Sequence, residues 1–296
     1  MKNPLVILLA ALYLAAAVPA QAQIVYIPED VHFKAPKVPE YIEFAGQTWR
    51  FDRPDLYERM DRELITFTYS HTNSSLMLKR AEKIFTQVVP ILKQQGVPED
   101  LKYLMAIESN LDPKAYSTAG AAGLWQFMRA TGQSYGLEVG TEVDERYNIE
   151  TATVAACKYL KEAYAKYGDW MTVAASYNAG QGGISKRLSD QRQKRATDLF
   201  LPMETSRYMF RILTAKYFFE HPEEFGFHFE EDEIYPYLPP RETVSVSGPI
   251  PNLTDFAEEH GSTYFHVKEA NLWLRSDKLT NKAGKTYKII IPATQY

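Results

Sequence analysis

Cysteine is almost missing from the sequence, because Cys157 is the only one among 296 residues. A single cysteine excludes an intramolecular disulfide, so a chain of this length depends on its apolar core for stability. A catalytic thiol would need a histidine partner, and none of the six histidines lies between residues 72 and 220. Their spacing also matches no metal-binding motif. We therefore expect neither thiol chemistry nor a metal or organic cofactor.

A polybasic block and a membrane-spanning run are missing too. The net charge is −4, which argues against a nucleic-acid partner. The apolar residues 5–18 fall short of the ~20 that a spanning helix needs. With Lys2 before it and Ala20-Gln21-Ala22 after it, the stretch predicts a signal peptide over residues 1–22. We expect an exported chain that starts near Gln23 and keeps no membrane span.

The rest of the chain divides by composition into four parts. Residues 23–71 are rich in Pro, Tyr and charge, which predicts an extended N-terminal arm with one short helix over 54–64. Residues 72–225 show helical periodicity and no alternating apolar run, so we predict an all-helical domain. Its predicted helices cover 75–95, a segment from Pro98 to Glu108, 151–167, 170–176 and 205–220. We predict loops over 132–144 and 181–197.

The pattern changes after an acidic and Pro-rich stretch, residues 226–242, that is typical of a linker. Residues 243–296 then favour a strand over 243–247, helices over 253–260 and 267–274, and a strand over 287–292. The predicted fold class is therefore mainly α, with a small β-α-α-β module of the α+β class at the C-terminal end.

Glu108 is the first candidate for chemistry. Leu101, Leu104 and Met105 recur with it at helical spacing, so its carboxyl lies on the apolar face of a helix. Loss of hydration raises the pKa of such a carboxyl, as a general acid near neutral pH requires. The alternative is a structural role, in which Glu108 pairs with a buried arginine or caps a backbone group. Asp112 is the nearest second carboxylate, but a turn role before Pro113 explains it.

Four short motifs accompany Glu108 along the chain. They are Glu108-Ser109, then Ser117 to Gly120 with Gly123, Trp125 and Gln126, then Ala175 to Gly180, and finally Glu204-Thr205 followed by Tyr208. In this order they resemble the motifs of lytic murein transglycosylases with an SLT-type domain, in particular the membrane-bound lytic transglycosylase D family. The resemblance implies a lysozyme-like helical catalytic domain over residues 72–225.

The resemblance also implies an activity and a location. Such an enzyme cleaves peptidoglycan between N-acetylmuramic acid and N-acetylglucosamine without water, and it leaves 1,6-anhydro-N-acetylmuramic acid ends, by exo or endo attack. Glu108 is expected to act first as acid and then as base, with the substrate N-acetyl group as the nucleophile. A single catalytic carboxylate suffices for such substrate-assisted chemistry. The expected location is the periplasm, and peripheral association with the envelope is left open. The expected partner is the peptidoglycan glycan strand.

The remaining site residues follow from the same resemblance. It places Ser117 near the acid, Gln126 on a sugar and Met128 on the wall of the groove. It implies that Tyr177 and Asn178 hold the N-acetyl group, and that Tyr208 is a further active-site tyrosine. For Ser117, Gln126 and Met128, ordinary turn or packing roles are the alternatives. We expect Trp125 to belong to the core and Glu204 to begin a helix.

Two further interpretations of the whole protein stay open. A hydrolase on the same scaffold, like goose-type lysozyme, would need a bound water or an extra carboxylate at Glu108. A non-catalytic peptidoglycan-binding scaffold would not need a desolvated acid. Residues 243–296 resemble a lysin motif, although Pro251-Asn252-Leu253-Thr254 replaces the usual Gly-Asp-Thr-Leu start. For this module, glycan binding and simple packing are both open.

Overall fold

The computed structural model of the protein describes residues 34–282 and 284–293, so the predicted signal peptide lies outside the described residues. These residues are mainly helical, as predicted, with two small sheets. In chain order the elements are β1 (Tyr41–Phe44), β2 (Gln47–Arg50), α1 (Pro54–Tyr69), α2 (His71–Gln94), α3 (Lys102–Ser109), α4 (Arg129–Ser134), α5 (Ile149–Tyr167), α6 (Trp170–Ala179), α7 (Gln181–Asp190), α8 (Met203–Glu220), β3 (Glu242–Val246), α9 (Leu253–Glu259), α10 (Tyr264–Ala270) and β4 (Tyr287–Ile291).

The described part of the N-terminal arm contains a hairpin that the sequence interpretation did not predict. β1 and β2 are antiparallel and are joined by a turn in which Ala45 and Gly46 both have positive φ, at 51° and 76°. This is the turn geometry that two-residue hairpins favour. α1 follows and is five residues longer than the predicted 54–64. It packs along α8 through the fully buried Glu63, whose carboxylate accepts two hydrogen bonds from Arg207, at 2.7 and 3.0 Å.

The helices of the central part lie close to their predicted positions because their ends carry strong local signals. α5 begins at an Asn148 cap and stops at Gly168, which has a φ of 63°. α6 begins after Asp169, whose carboxylate accepts a hydrogen bond from the Thr172 amide at 2.8 Å. The predicted loop over 181–197 is wrong in its first half, where α7 forms. Gly182 and Gly183 give the first turn of that helix a low intrinsic helix propensity, so the local sequence did not predict it.

The C-terminal module has the predicted β-α-α-β order. β3 and β4 pair antiparallel with Glu242 opposite Ile291 and Val246 opposite Tyr287. The second helix starts three residues earlier than predicted, because the Thr263 hydroxyl accepts a hydrogen bond from the His266 amide and caps α10. The stretch from 226 to 242 runs along α2, where the Tyr235 amide donates to the Lys79 carbonyl at 2.8 Å.

The module shares a hydrophobic core with the helical part. Ala122, Val143 and Tyr147 are buried in one cluster with Leu253, Trp273 and other residues of the module. Backbone bonds join the same surfaces, with the Asp144 amide donating to the Trp273 carbonyl at 2.9 Å and the Arg275 amide to the Glu142 carbonyl at 2.8 Å. Burial of this kind makes the two parts one packed unit.

No helix within residues 34–282 and 284–293 combines the length and the apolar character that a membrane crossing requires.

Candidate active site

Glu108 lies in the last turn of α3, among the buried residues that the helical spacing predicted. Asn110 and Leu111 end the helix with left-handed backbone, at φ of 50° and 54°. The carboxyl is partly buried and accepts a hydrogen bond of 2.5 Å from the hydroxyl of Tyr208 on α8. The structure therefore brings together the first and last motifs, which are 100 residues apart.

Burial sets the protonation of this carboxyl. Desolvation raises the pKa of Glu108 from 4.5 to about 7, against the opposing effects of the Tyr208 hydrogen bond and the Arg211 charge. The negative charge of Glu204 adds to the rise. A carboxyl that is half protonated near neutral pH can give up a proton and then accept one, which a general acid and base must do.

Asp112, the other carboxylate of this turn, has a structural role. Its Oδ1 accepts a hydrogen bond from the Lys114 amide at 2.9 Å, and its second oxygen lies 3.6 Å from Arg80. The turn interpretation of Asp112 is confirmed.

Ser117 and Gln126 hold the loop that follows α3. The Ser117 hydroxyl accepts from the Ala121 amide at 3.0 Å. The Gln126 side-chain amide donates to the carbonyls of Gly123, at 2.8 Å, and Ala115, at 3.2 Å. Both side chains are therefore bonded to the loop itself, and the predicted contact of Ser117 with the acid is not among their hydrogen bonds. Their roles toward a sugar stay predictions.

The buried side chain of Arg146 also holds the loop that follows α3, through hydrogen bonds to its backbone. Its guanidinium is buried, pairs with Asp144 at 2.7 Å, and donates to the carbonyls of Gly120 and Phe127 at 2.8 and 3.0 Å. Gly123 sits against it with a φ of 75°, where a Cβ would lie 1.9 Å from the Arg146 carbonyl oxygen. The sequence interpretation missed Arg146, because no local pattern links it to a loop 20 residues away.

Tyr177 and Asn178, at the end of α6, flank the site. The Tyr177 hydroxyl donates to the Trp125 carbonyl at 2.6 Å. Burial raises the pKa of this phenol, and the nearby Glu108 charge raises it further. The Asn178 amide lies 3.4 Å from the carboxylate of Glu204. Tyr177 therefore lies near Glu108 and Asn178 lies beside Glu204, and their roles toward an N-acetyl group stay predictions.

The remaining expectations concern Trp125, Glu204 and Met128. Trp125 is fully buried and donates to the Thr153 hydroxyl at 3.0 Å, so its core role is confirmed. Glu204 lies in the first turn of α8, as expected. Met128 is 44% exposed at the start of α4, which leaves its side chain available to a ligand.

A cavity of about 480 Å³ opens beside Glu108, between α1, α2 and the start of α8. Ile107 and Asn110, the neighbours of the acid, form part of its wall, together with Glu204, Arg207 and Arg211. Sequence reasoning did not single out Arg211, although its position three residues after Tyr208 places both on one face of α8.

Among residues 34–282 and 284–293, no cluster of three or more His, Cys, Asp or Glu side chains is placed to hold a metal ion.

Comparison with protein families identifies both folded parts. Residues 90–200 match the family described as the transglycosylase SLT domain. Residues 242–295 match the soluble lytic transglycosylase C-terminal LysM-like domain. The chain therefore contains an SLT transglycosylase domain joined to a LysM-like domain.

Individual relatives agree with this class. The chain is 31% identical over 257 residues to membrane-bound lytic murein transglycosylase D of Escherichia coli K12, a match that covers 84% of this chain and 55% of that protein. It is 30% identical over 125 residues to membrane-bound lytic murein transglycosylase F of Salmonella choleraesuis, covering 38% and 23%. The chain thus spans about half the length of the first of these relatives.

Among solved structures, the 70 kDa soluble lytic transglycosylase of Escherichia coli matches with a TM-score of 0.43 and 18% identity, over 56% of this chain and 31% of that one.

Proposed function

We propose that the protein is a lytic transglycosylase that cleaves the peptidoglycan backbone between N-acetylmuramic acid and N-acetylglucosamine. The observation that carries the proposal is the Glu108 carboxyl, held by burial at a pKa of about 7 and hydrogen-bonded by Tyr208. The family matches supply the substrate class, because the similar proteins are described as murein transglycosylases. A periplasmic location follows from the same substrate and from the predicted signal peptide.

In the first step of the proposed reaction, Glu108 donates its proton to the oxygen between the two sugars. The bond from that oxygen to C1 of the muramic acid breaks, and the N-acetylglucosamine leaves as an alcohol. The carbonyl oxygen of the neighbouring N-acetyl group bonds to C1. This bond closes a ring, and the positive charge is then held within that ring. Tyr177 and Asn178 are placed to orient this acetamide.

In the second step, Glu108 is a carboxylate and accepts the proton of the sugar 6-hydroxyl. The 6-oxygen attacks C1, the bond to the acetamide oxygen breaks, and a 1,6-anhydro ring closes. The Tyr208 hydrogen bond stabilises the carboxylate between the two steps, since hydrogen bonding to the charged form favours it. No water is consumed, and Glu108 ends protonated for the next cycle.

Glu204 gives the second candidate function, hydrolysis, a specific residue. Its charge acts on Glu108, so the site contains a second carboxylate that a hydrolase would use to activate water. Two features favour the transglycosylase. Glu204 is exposed in the first turn of α8, and its carboxylate already faces the Asn178 amide.

A pair of matched variants separates the two mechanisms. Glu108→Gln removes the proton donor and is expected to lower the release of soluble muropeptides by about 10³-fold or more while the protein still binds sacculi. Glu204→Gln keeps the shape and is expected to retain cleavage within about tenfold, because the transglycosylase uses no second carboxylate. Substantial activity in Glu108→Gln would refute the mechanism. A loss in Glu204→Gln as large as that in Glu108→Gln would indicate the hydrolase.

A binding scaffold without turnover is the third possibility. It would bind sacculi in all variants and release no muropeptides even as the wild-type chain, so the same assay excludes it or supports it.

A further inference from the structure

The cavity beside Glu108 contains a cation that the proposed mechanism does not use. Arg211 is partly buried in its wall, and it forms no hydrogen bond and no ion pair with any residue in the described part of the chain. Its charge reaches Glu108, since it opposes the rise of the carboxyl pKa. A partly buried guanidinium with five free donors is a favourable site for a carboxylate.

The other charges of the cavity leave Arg211 uncompensated. Arg207 is neutralised by the buried Glu63, which accepts two hydrogen bonds from it. Glu204 is exposed, so its charge is screened by water. The excess positive charge of the inner wall therefore lies at Arg211, a short way along α8 from Tyr208 and the acid.

The size and lining of the cavity suit a peptide. Its volume of about 480 Å³ lies within the range of small-ligand sites and exceeds what the small lactyl group of muramic acid needs. Thr66, Ser70 and Asn73 add polar groups, and Phe67 and Met77 add apolar surface. They belong to α1, to α2 and, for Ser70, to the junction between these helices, before the region that the SLT family match covers.

We propose that this cavity is a subsite for the peptide attached to the muramic acid, with a peptide carboxylate bound to Arg211. The proposal rests on the proposed function, because only a peptidoglycan substrate carries such a peptide next to the cleaved bond. The subsite would make the protein prefer glycan that still bears its peptides, since each charge-assisted hydrogen bond adds affinity.

Binding to the full chain tests the subsite without turnover. Calorimetry would use three ligands built on the disaccharide that has N-acetylmuramic acid at its reducing end, which lacks the bond that the enzyme is proposed to cleave. They are the disaccharide with its peptide, the same ligand with its peptide carboxylates amidated, and the peptide-free disaccharide. We expect the first to bind about tenfold more tightly than the other two, as one charge-assisted contact provides. Arg211→Gln is expected to abolish that difference, and Arg211→Lys to restore part of it.

The control variant is Lys83→Gln, which removes an exposed charge from α2, outside the cavity lining, and is expected to keep the full preference. Two results would overturn the subsite. One is a preference that survives in Arg211→Gln. The other is an equal loss for the peptide-free disaccharide, which would place the lactyl carboxylate on Arg211 instead. Since no ligand is cleaved, failure of the transglycosylase proposal appears only in the sacculus assay.

Discussion

At the residue scale, the Glu108 carboxyl is subject to opposing influences. Burial and the Glu204 charge raise its pKa, while the Tyr208 hydroxyl and Arg211 lower it, and the balance lies at about 7. Each of the two proton transfers needs a different form of the same group. A pKa near neutrality keeps both forms accessible, whereas the ordinary value of 4.5 would leave little acid at pH 7.

The hydrogen bond from Tyr208 is expected to set the alkaline limit of activity. Its donor favours the charged form of Glu108, so Tyr208→Phe raises the pKa of the acid and moves the alkaline limb of kcat/KM to higher pH. The wild-type limb is expected near pH 7, because the acid must be protonated in the free enzyme. A pH–rate profile of both proteins checks this, and an unshifted or lowered limb in Tyr208→Phe would contradict the role of the phenol.

The same raised pKa predicts a cost in stability. The folded value of about 7 exceeds the unfolded 4.5, so ionised Glu108 destabilises the fold as the pH rises from about 5 to above 7. Glu108→Gln carries no charge and is expected to be the more stable protein at pH 8, by at most about 3 kcal/mol, with a difference near zero at pH 4.5. Thermal unfolding of both proteins across this range measures it. A difference that does not change with pH would count against the buried acid.

The residues that the sequence could identify are those with a local pattern. Glu108 was recognisable from the helical spacing of its apolar neighbours, and Tyr208 from its motif. Arg211 and Arg146 were not recognisable. The position of Arg211 in the cavity wall and the hydrogen bonds of Arg146 to the loop after α3 depend on contacts between segments that are distant in sequence. Ser117 and Gln126 lie on the expected loop, but their hydrogen bonds to its backbone could not be read from spacing.

At the element scale, the loop over residues 117–128 depends on Gly123. Gly123→Ala would place a methyl group against the Arg146 carbonyl in a left-handed conformation. The expected loss is roughly 3 kcal/mol of stability, with a matching loss of cleavage. Gly182→Ala is the control, since Gly182 lies in α7 with no atom within 4 Å of a new Cβ. That variant is expected to gain roughly 0.5 kcal/mol. Equal melting temperatures for Gly123→Ala and Gly182→Ala would show that the close contact between Gly123 and Arg146 does not stabilise the loop.

The long helices α2, α5, α6 and α8 were predictable from their apolar spacing. In α5 and α6 a side-chain cap at the start and a glycine at the end agree with that spacing. The hairpin of β1 and β2 was not, since four-residue strands give almost no periodic signal. α7 was missed for a different reason. Its three-dimensional packing, with Ile184 fully buried, overrides a weak propensity caused by two glycines.

At the scale of the whole molecule, the LysM-like domain is packed on the SLT domain through a shared core. Leu253→Ala, a truncation at a fully buried site of that core, is expected to lower the stability of the whole chain by about 2–5 kcal/mol. Calorimetry is expected to show one transition that shifts as a unit. Phe265→Ala removes a side chain that is 64% exposed in the same domain and is the control, with a change below about 0.5 kcal/mol. Two transitions, with only one of them shifted by Leu253→Ala, would mean that the LysM-like domain unfolds independently of the SLT domain.

The mass of the cleaved glycan ends tests the central proposal most directly. Purified peptidoglycan digested with the protein, and with Glu108→Gln as the blank, would be analysed by mass spectrometry of the soluble muropeptides. We predict ends in 1,6-anhydro-N-acetylmuramic acid, which appear with wild-type protein and are missing with Glu108→Gln. Reducing ends, heavier by one water, would contradict the account and make Glu204 the base of a hydrolase.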